Sequence, residues 1–183
     1  MTFLDDNHRG KIESIDEAWK NLHNLTSLAE GAGIDDIFQD NGAKVLQQLF
    51  MSNMKFLPGR QGNDAVDENG VEWEFKSINT KTTATGFVTD HHTTYELLNR
   101  FNSIPWLFSI YHGIHLEEMY VISPGKLNDW VEHQKKNLDQ KKDDNKTLNN
   151  PKIPVKYVKK NGIKVYPVDG KMINPADFDG RDN

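Results

Sequence analysis

The spacing of apolar residues predicts two helices in the N-terminal part of the chain. From residue 14 to about residue 31, apolar side chains recur every three to four positions, as on one face of an amphipathic helix. Ser14 and Glu17 have the spacing of a capping box at its start. The second helix follows an acidic turn, and its expected apolar face consists of Val45, Leu46, Leu49 and Phe50.

Four further segments show the alternation or the unbroken apolar run of a β-strand: 55–57, 71–78, 106–111 and 114–122. The third segment is apolar on both faces, which is typical of a central, buried strand. Helices are expected over residues 94–102 and from Ser123-Pro124 through Val131. These elements predict an α/β fold, with a mixed sheet of five or six strands that carries the functional site at one edge and is flanked by helices.

The C-terminal part is more polar. Residues 135–150 are expected to form a long loop. Residues 153–158 and 163–166 are expected to form a final hairpin, joined by a turn at Asn161-Gly162.

Composition favours one soluble, globular domain. The chain has 183 residues, of which 36% are hydrophobic and 27% charged, and it has no cysteine. We expect a single domain over residues 1–166, followed by a polar tail over residues 167–183. Because no apolar run has membrane-spanning length and the first residues do not resemble a signal peptide, we expect a cytoplasmic protein.

The net charge of −5 conceals an uneven distribution. Residues 135–164 contain ten lysines and three aspartates, a balance of +7, which leaves −12 for the rest of the chain. A basic lobe on an acidic body is compatible with binding of a nucleic-acid backbone by one face. A lysine-rich, solvated loop explains the run from Lys135 to Lys146 equally well.

The most informative stretch, residues 59–79, combines a turn with alternating charged residues. Asn69-Gly70 accepts the positive φ angles of a tight hairpin, so the flanking segments should pair as antiparallel strands. Every second side chain of a strand shares a face, so Glu74 and Lys76 project to the same side. Folding the hairpin brings Asp64 towards Glu74.

Two converging carboxylates suit a hard cation such as Mg²⁺, and the Phe75 carbonyl could join Asp64 and Glu74 as a ligand. Lys76 would then lie beside the attacking water, helping to lower its pKa and to stabilise the charge that develops on phosphorus. The alternative is an ordinary solvated strand face with a cross-strand ion pair.

This pattern is that of the PD-(D/E)XK nucleases, whose proline is loosely represented by Pro58. Over residues 31–166 the chain resembles the PvuII-like type II restriction endonucleases of that superfamily. The words that carry the resemblance are GIDDIFQDNG (33–42), LPGRQGNDAVD (57–67), KSIN (76–79), PWLFSIY (105–111) and NNPKIPVKYV (149–158).

The resemblance implies a restriction-endonuclease-like fold and a homodimer whose interface is built by the helical N-terminal part, residues 14–31. It implies Mg²⁺-dependent hydrolysis of both strands of double-stranded DNA at the palindrome CAGCTG, with a blunt cut. Asp64, Glu74 and Lys76 match the catalytic positions. A cutter of host DNA also implies a cognate DNA methyltransferase.

Two polar words are candidates for reading bases. His91 and His92 lie in a polar stretch and, on an extended chain, would point to opposite sides, so that each could meet one base edge. Asn149 and Asn150 precede a proline; asparagine pairs bidentately with adenine, but it is also common in turns.

The resemblance assigns guanines to the two histidines and adenine to the asparagines, with Asn150 preferred. It makes Asp40, which is also a candidate helix N-cap, a contact from the minor groove. Lys152 belongs to a set of lysines that could follow phosphates. Asp90 and Phe101 depart from the family pattern, in which a third histidine and a tyrosine are expected.

Two other functions remain open on the sequence. A structure-selective repair or recombination nuclease of the same superfamily would keep the catalytic hairpin without the base readers. A catalytically silent DNA-binding protein would keep the readers, and Phe101 leaves that possibility standing.

Overall fold

A computed structural model describes residues 20–38, 41–58, 63–141 and 147–167. The chain divides into two units, Met1–Leu46 and Gln47–Asn183. The predicted capping box at Ser14 and Glu17 lies outside the described residues, as do residues 168–183 of the predicted tail.

In the first unit, residues 20–31 form helix α1, in agreement with the predicted periodicity. The helix ends where Gly33 adopts a φ of 83° and the Ile34 N–H donates to the Ala29 carbonyl at 2.9 Å. A left-handed glycine after the last turn is a common way for a helix to stop.

Helix α2, Gly42–Ser52, was predicted with a partly wrong apolar face. Leu46 and Leu49 are buried, but Phe50 is 62% exposed. Gln48 takes the buried position instead, and its side-chain amide donates to the Ser109 hydroxyl at 2.9 Å. A buried amide is tolerated where it finds a hydrogen-bond partner, which a count of apolar residues does not reveal.

The second unit contains the remaining strands, listed here with their bounds: β1 Lys55–Phe56, β2 Ala65–Val66, β3 Glu72–Asn79, β4 Gly86–Val88, β5 Trp106–His112, β6 His115–Ile122, β7 Lys152–Pro154 and β8 Ile163–Tyr166. Its helices are α3 Tyr95–Ser103, α4 Asn128–Asp139 and α5 Val155–Asn161. Six strands form one sheet in the order β1-β2-β3-β5-β6-β8, and β4 pairs with β7.

The sheet is mixed, because β3 and β5 are parallel while the other neighbours are antiparallel. This confirms the predicted α/β class with a central mixed sheet. The predicted hairpin is formed by β2 and β3, close to one edge.

The core lies around β5, whose residues are buried from Trp106 to Tyr111, as predicted. Phe101 of α3 is fully buried and packs edge-on against Trp106, with ring centroids 5.1 Å apart. Trp106 in turn stacks on Phe108 at 5.5 Å. Phe101 is therefore a core residue on the helix that follows the histidine word.

The predictions for the C-terminal part were partly wrong. Helix α4 begins at Asn128, after a turn, and runs to Asp139, so the first part of the expected loop is helical. Trp130, Val131, Gln134 and Leu138 are its buried side chains. Their three-to-four spacing is masked in the sequence by the lysines between them.

The predicted final hairpin does not form. Residues 155–161 are the helix α5, which follows the extended Pro154, and β8 pairs with β6 instead. Proline has no N–H for a strand ladder but is favourable next to a helix start. Gly162 ends α5, where its N–H donates to the Val158 carbonyl at 2.8 Å, so Asn161-Gly162 is a helix terminus.

Within the described stretches of chain, no helix is both long and apolar enough to span a membrane.

Candidate active site

The hairpin between β2 and β3 is organised by a buried aspartate. Asp67 accepts hydrogen bonds from the N–H groups of Asn69 and Val71 through Oδ1, and from the Trp73 indole N–H through Oδ2 at 3.1 Å. Gly70 takes a φ of 79°, as the turn prediction requires. The hairpin is thus fixed from inside, and Asp67 is a structural residue that sequence reasoning did not single out.

Asp64 precedes β2 and is held by the neighbouring strand. Its N–H donates to the Trp73 carbonyl at 2.9 Å, and its carbonyl accepts from the Leu57 N–H at 3.0 Å. Its carboxylate Oδ2 accepts the Phe75 N–H at 2.7 Å. The carboxylate is therefore placed against β3 by backbone contacts.

Glu74 and Lys76 lie side by side on β3. The Lys76 ammonium is 2.7 Å from Glu74 Oε1, and the Glu74 side chain is only 4% exposed. The second oxygen, Oε2, is buried and has no hydrogen-bond partner among the described residues. Buried carboxylate oxygens normally have a partner, so this atom marks a place for a ligand.

Two charged residues of the cluster were missed by sequence reasoning. Asp90 places Oδ1 3.5 Å from the Lys76 ammonium. Arg100 of α3 lies close enough to Asp64 for its positive charge to lower the pKa of that carboxyl. The sequence signal was slight, since Asp90 was noted only as a departure before the histidine pair.

Burial dominates the electrostatics of the cluster. It raises the pKa of the Glu74 carboxyl to about 7, with a further rise from the Asp64 charge and a partial offset by Lys76. Burial also raises the pKa of Asp64, against the opposing effects of the Phe75 N–H and of Lys76. For Lys76, burial alone would lower the pKa, but the negative charge of Glu74 outweighs it and the pKa is raised.

The residues present fit a hard divalent cation. No group of three or more His, Cys, Asp or Glu side chains suited to a metal ion occurs in the part of the chain that the structure describes. Two carboxylates, Asp64 and Glu74, with an oxygen of Glu74 left without a partner, instead match an ion that keeps waters and binds phosphate oxygens. The predicted Phe75 carbonyl ligand stays a prediction.

The structure brings the two reader words together. His91 Nδ1 lies 3.0 Å from Asn149 Oδ1, although 58 positions separate them in sequence. Thr93 and Leu148 form an antiparallel bridge between the words, with N–H to carbonyl distances of 2.8 and 2.9 Å. Pairing of β4 with β7 continues this contact.

The predicted extended path of the histidines was wrong. Both lie in a turn, and His92 adopts a φ of 55°. Asn150 also has a positive φ, 49°, and its Oδ1 is buried without a hydrogen-bond partner among the described residues. We call the segments 89–93 and 148–154 together the reading unit.

Of the other predicted contacts, Lys152 lies in β7 with its side chain exposed, while its carbonyl accepts the Trp130 indole N–H at 2.9 Å. Asp40 lies outside the described residues. The reading unit therefore includes five of the six predicted DNA contacts, and Asp40 cannot be placed relative to it.

A family model, restriction endonuclease PvuII, matches residues 10–166 of the chain. The match includes both the hairpin that carries Asp64, Glu74 and Lys76 and the whole of the reading unit.

Proposed function

Because the chain belongs to the restriction endonuclease PvuII family and is thus a type II restriction endonuclease, we propose that it hydrolyses both strands of a short palindromic DNA site with Asp64, Glu74 and Lys76 as catalytic residues. One observation carries the assignment. A buried lysine and two buried carboxylates converge on one hairpin, and one carboxylate oxygen has no hydrogen-bond partner among the described residues.

Asp64 and Glu74 would hold Mg²⁺, with the Phe75 carbonyl as a third protein ligand. When bound, the ion would supply positive charge that neutralises phosphate oxygens and acidifies the attacking water. The Phe75 N–H fixes Asp64, so this ligand is oriented before substrate arrives.

Lys76 acts as a cation rather than as a base. Its pKa is raised, so the side chain remains an ammonium group at neutral pH. An ammonium group can donate hydrogen bonds to the attacking water or to the phosphate and stabilise the charge that grows on the phosphate oxygens. Its burial makes that stabilisation stronger than it would be in bulk water.

The reading unit would supply specificity. His91 and His92 would read guanines and Asn150 an adenine, with Asn149 beside it and Lys152 on a phosphate. Asn150 Oδ1 is buried, so a bidentate contact with adenine requires that its side chain turn outward on DNA. A homodimer would present the same readers to both halves of the palindrome, by resemblance CAGCTG with a blunt cut. Asp40 would add a minor-groove contact, and a methyltransferase of the same specificity would protect host DNA.

Digestion of a sequenced plasmid in Mg²⁺ and in EDTA, followed by sequencing of the ends, tests the proposal. Discrete, Mg²⁺-dependent blunt cuts at CAGCTG alone are expected. Cuts at another sequence would retain the nuclease and refute the reader assignments, whereas a protein that binds DNA and never cuts it would refute the mechanism.

Asp64→Asn separates catalysis from binding. We expect it to abolish cleavage and to leave specific binding intact in a mobility-shift assay without Mg²⁺, because the carboxylate contacts no reader residue. Asp129→Asn, an exposed aspartate in the first turn of α4, is the matched control and should cut normally. If Asp64→Asn cuts at the wild-type rate, the catalytic assignment is wrong.

A further inference from the structure

The Lys76 ammonium lies between two carboxylates that come from different parts of the chain. Glu74 Oε1 is 2.7 Å away on the same strand, and Asp90 Oδ1 is 3.5 Å away, in the turn after β4. Since Coulomb attraction falls off only as the inverse of distance, Asp90 exerts roughly three quarters of the attraction of Glu74. A lysine held from two sides cannot collapse onto either carboxylate.

Asp90 itself is anchored to the reading unit. Its carbonyl accepts the Thr93 hydroxyl at 2.8 Å, and Thr93 is fully buried and paired to Leu148 in both directions. The Asp90 carboxylate is 38% exposed, so packing of the core does not explain its orientation. His91 follows directly in the sequence.

We infer that Asp90 is a positioning residue that holds the Lys76 ammonium in place for catalysis and ties it to the turn that bears His91 and His92. The inference rests on the proposed function and deepens it. Without Asp90, the ammonium group would pair with Glu74 alone and be drawn away from the phosphate. With it, the base-reading turn and the catalytic lysine share one residue.

The test compares Asp90→Asn, which keeps the size of the side chain and removes its charge, with Asp90→Glu, which restores the charge. Glu132→Gln is the matched control, because Glu132 is also a partly exposed carboxylate paired with a lysine, Lys135, at 2.8 Å. Each protein is measured for its single-turnover cleavage rate with Mg²⁺ and for its Kd for the same duplex without Mg²⁺.

Asp90→Asn is expected to cut roughly 10- to 100-fold more slowly, since small displacements of catalytic groups have effects of that size. Its Kd should stay within about twofold of the wild-type value, because Asp90 is not a proposed DNA contact. Asp90→Glu should recover part of the rate, and Glu132→Gln should match the wild type. A purely structural role would instead weaken binding and cleavage together.

A second readout does not depend on cleavage. The ¹⁵N-detected ammonium resonance of Lys76 in the metal-free protein should shift in Asp90→Asn and stay in place in Glu132→Gln. If wild-type protein cuts DNA and Asp90→Asn cuts equally fast, or the resonance does not move, the inference is overturned and the proposed function stands. If the wild type never cuts DNA, the proposed function fails and the inference falls with it.

Discussion

Glu74→Gln should stabilise the metal-free protein at neutral and alkaline pH. Glu74 is almost fully buried, and its carboxylate has only Lys76 as a close partner on one of its two oxygens. The substitution keeps the shape of the side chain and removes the negative charge that has to be buried. A catalytic ligand would then be a source of instability until a cation binds it.

The size of the effect follows from the pKa. Burial raises the pKa of Glu74 from its usual 4.5 to about 7, a value that already contains the favourable charge of Lys76. At about 1.4 kcal/mol for each pKa unit, ionising the folded protein costs about 3 kcal/mol more than ionising the unfolded chain. Between pH 4.5 and about 7 the folded state keeps a proton that the unfolded state has lost. Stability contributed by this group is therefore full below pH 4.5, falls as pH rises, and levels off above about 7.

Urea unfolding in EDTA, at several pH values from about 5 to about 8, measures the difference in unfolding free energy between the variant and the wild type. That difference should grow with pH in favour of Glu74→Gln and shrink when Mg²⁺ is added, since an ion that binds only the folded wild type stabilises it. A difference that changes by less than about 0.5 kcal/mol over this range would refute the reasoning.

Glu118→Gln provides a control of opposite sign. Burial acts to raise the pKa of Glu118, but hydrogen bonds and charges from Lys159 and Lys164 outweigh it and lower the pKa. The ionised group therefore stabilises the protein above its unfolded pKa, and this stability is lost as pH falls through the folded pKa. Glu118→Gln should weaken the protein at neutral pH and approach the wild type in acid.

Three further predictions address the hairpin and the reading unit. Asp67→Ala removes the acceptor of two turn N–H groups and of the Trp73 indole, so urea unfolding should show a loss of about 2 to 4 kcal/mol; a loss below about 1 would contradict the structural role. Gly86→Ala would put a Cβ 2.9 Å from the Ile153 carbonyl, so β4 and β7 must separate; specific DNA binding should weaken more than non-specific binding, and equal weakening would count against the reading unit. Lys152→Ala should reduce the slope of log binding constant against log salt by about 0.9 for each site, and an unchanged slope would exclude a phosphate contact.

The catalytic hairpin could be predicted because its determinants are local. Asn69-Gly70 specifies the turn, and the two-residue period of β3 places Glu74 and Lys76 on one face whatever surrounds them. The unbroken apolar run of β5 likewise indicated a buried central strand. In each case a short stretch of sequence carries enough information to determine the structure.

Errors arose where the same local signal fits two structures. Asn161-Gly162 is as suitable for a helix end as for a hairpin turn, and only the pairing of β8 with β6 decides between them. Asp90 and Arg100 could not be placed in the site from the sequence. Their proximity to Lys76 and Asp64 depends on how the turn after β4 and helix α3 pack on β3.

The contact between His91 and Asn149 has a consequence for folding during synthesis. Asp64 meets Phe75 across 11 positions, whereas His91 meets Asn149 across 58. Short loops close at lower entropic cost than long ones, and a chain made from its N-terminus has its hairpin long before residue 149 exists. The cutting residues are thus assembled early and the reading unit late, so that sequence discrimination is the last property the growing polypeptide acquires.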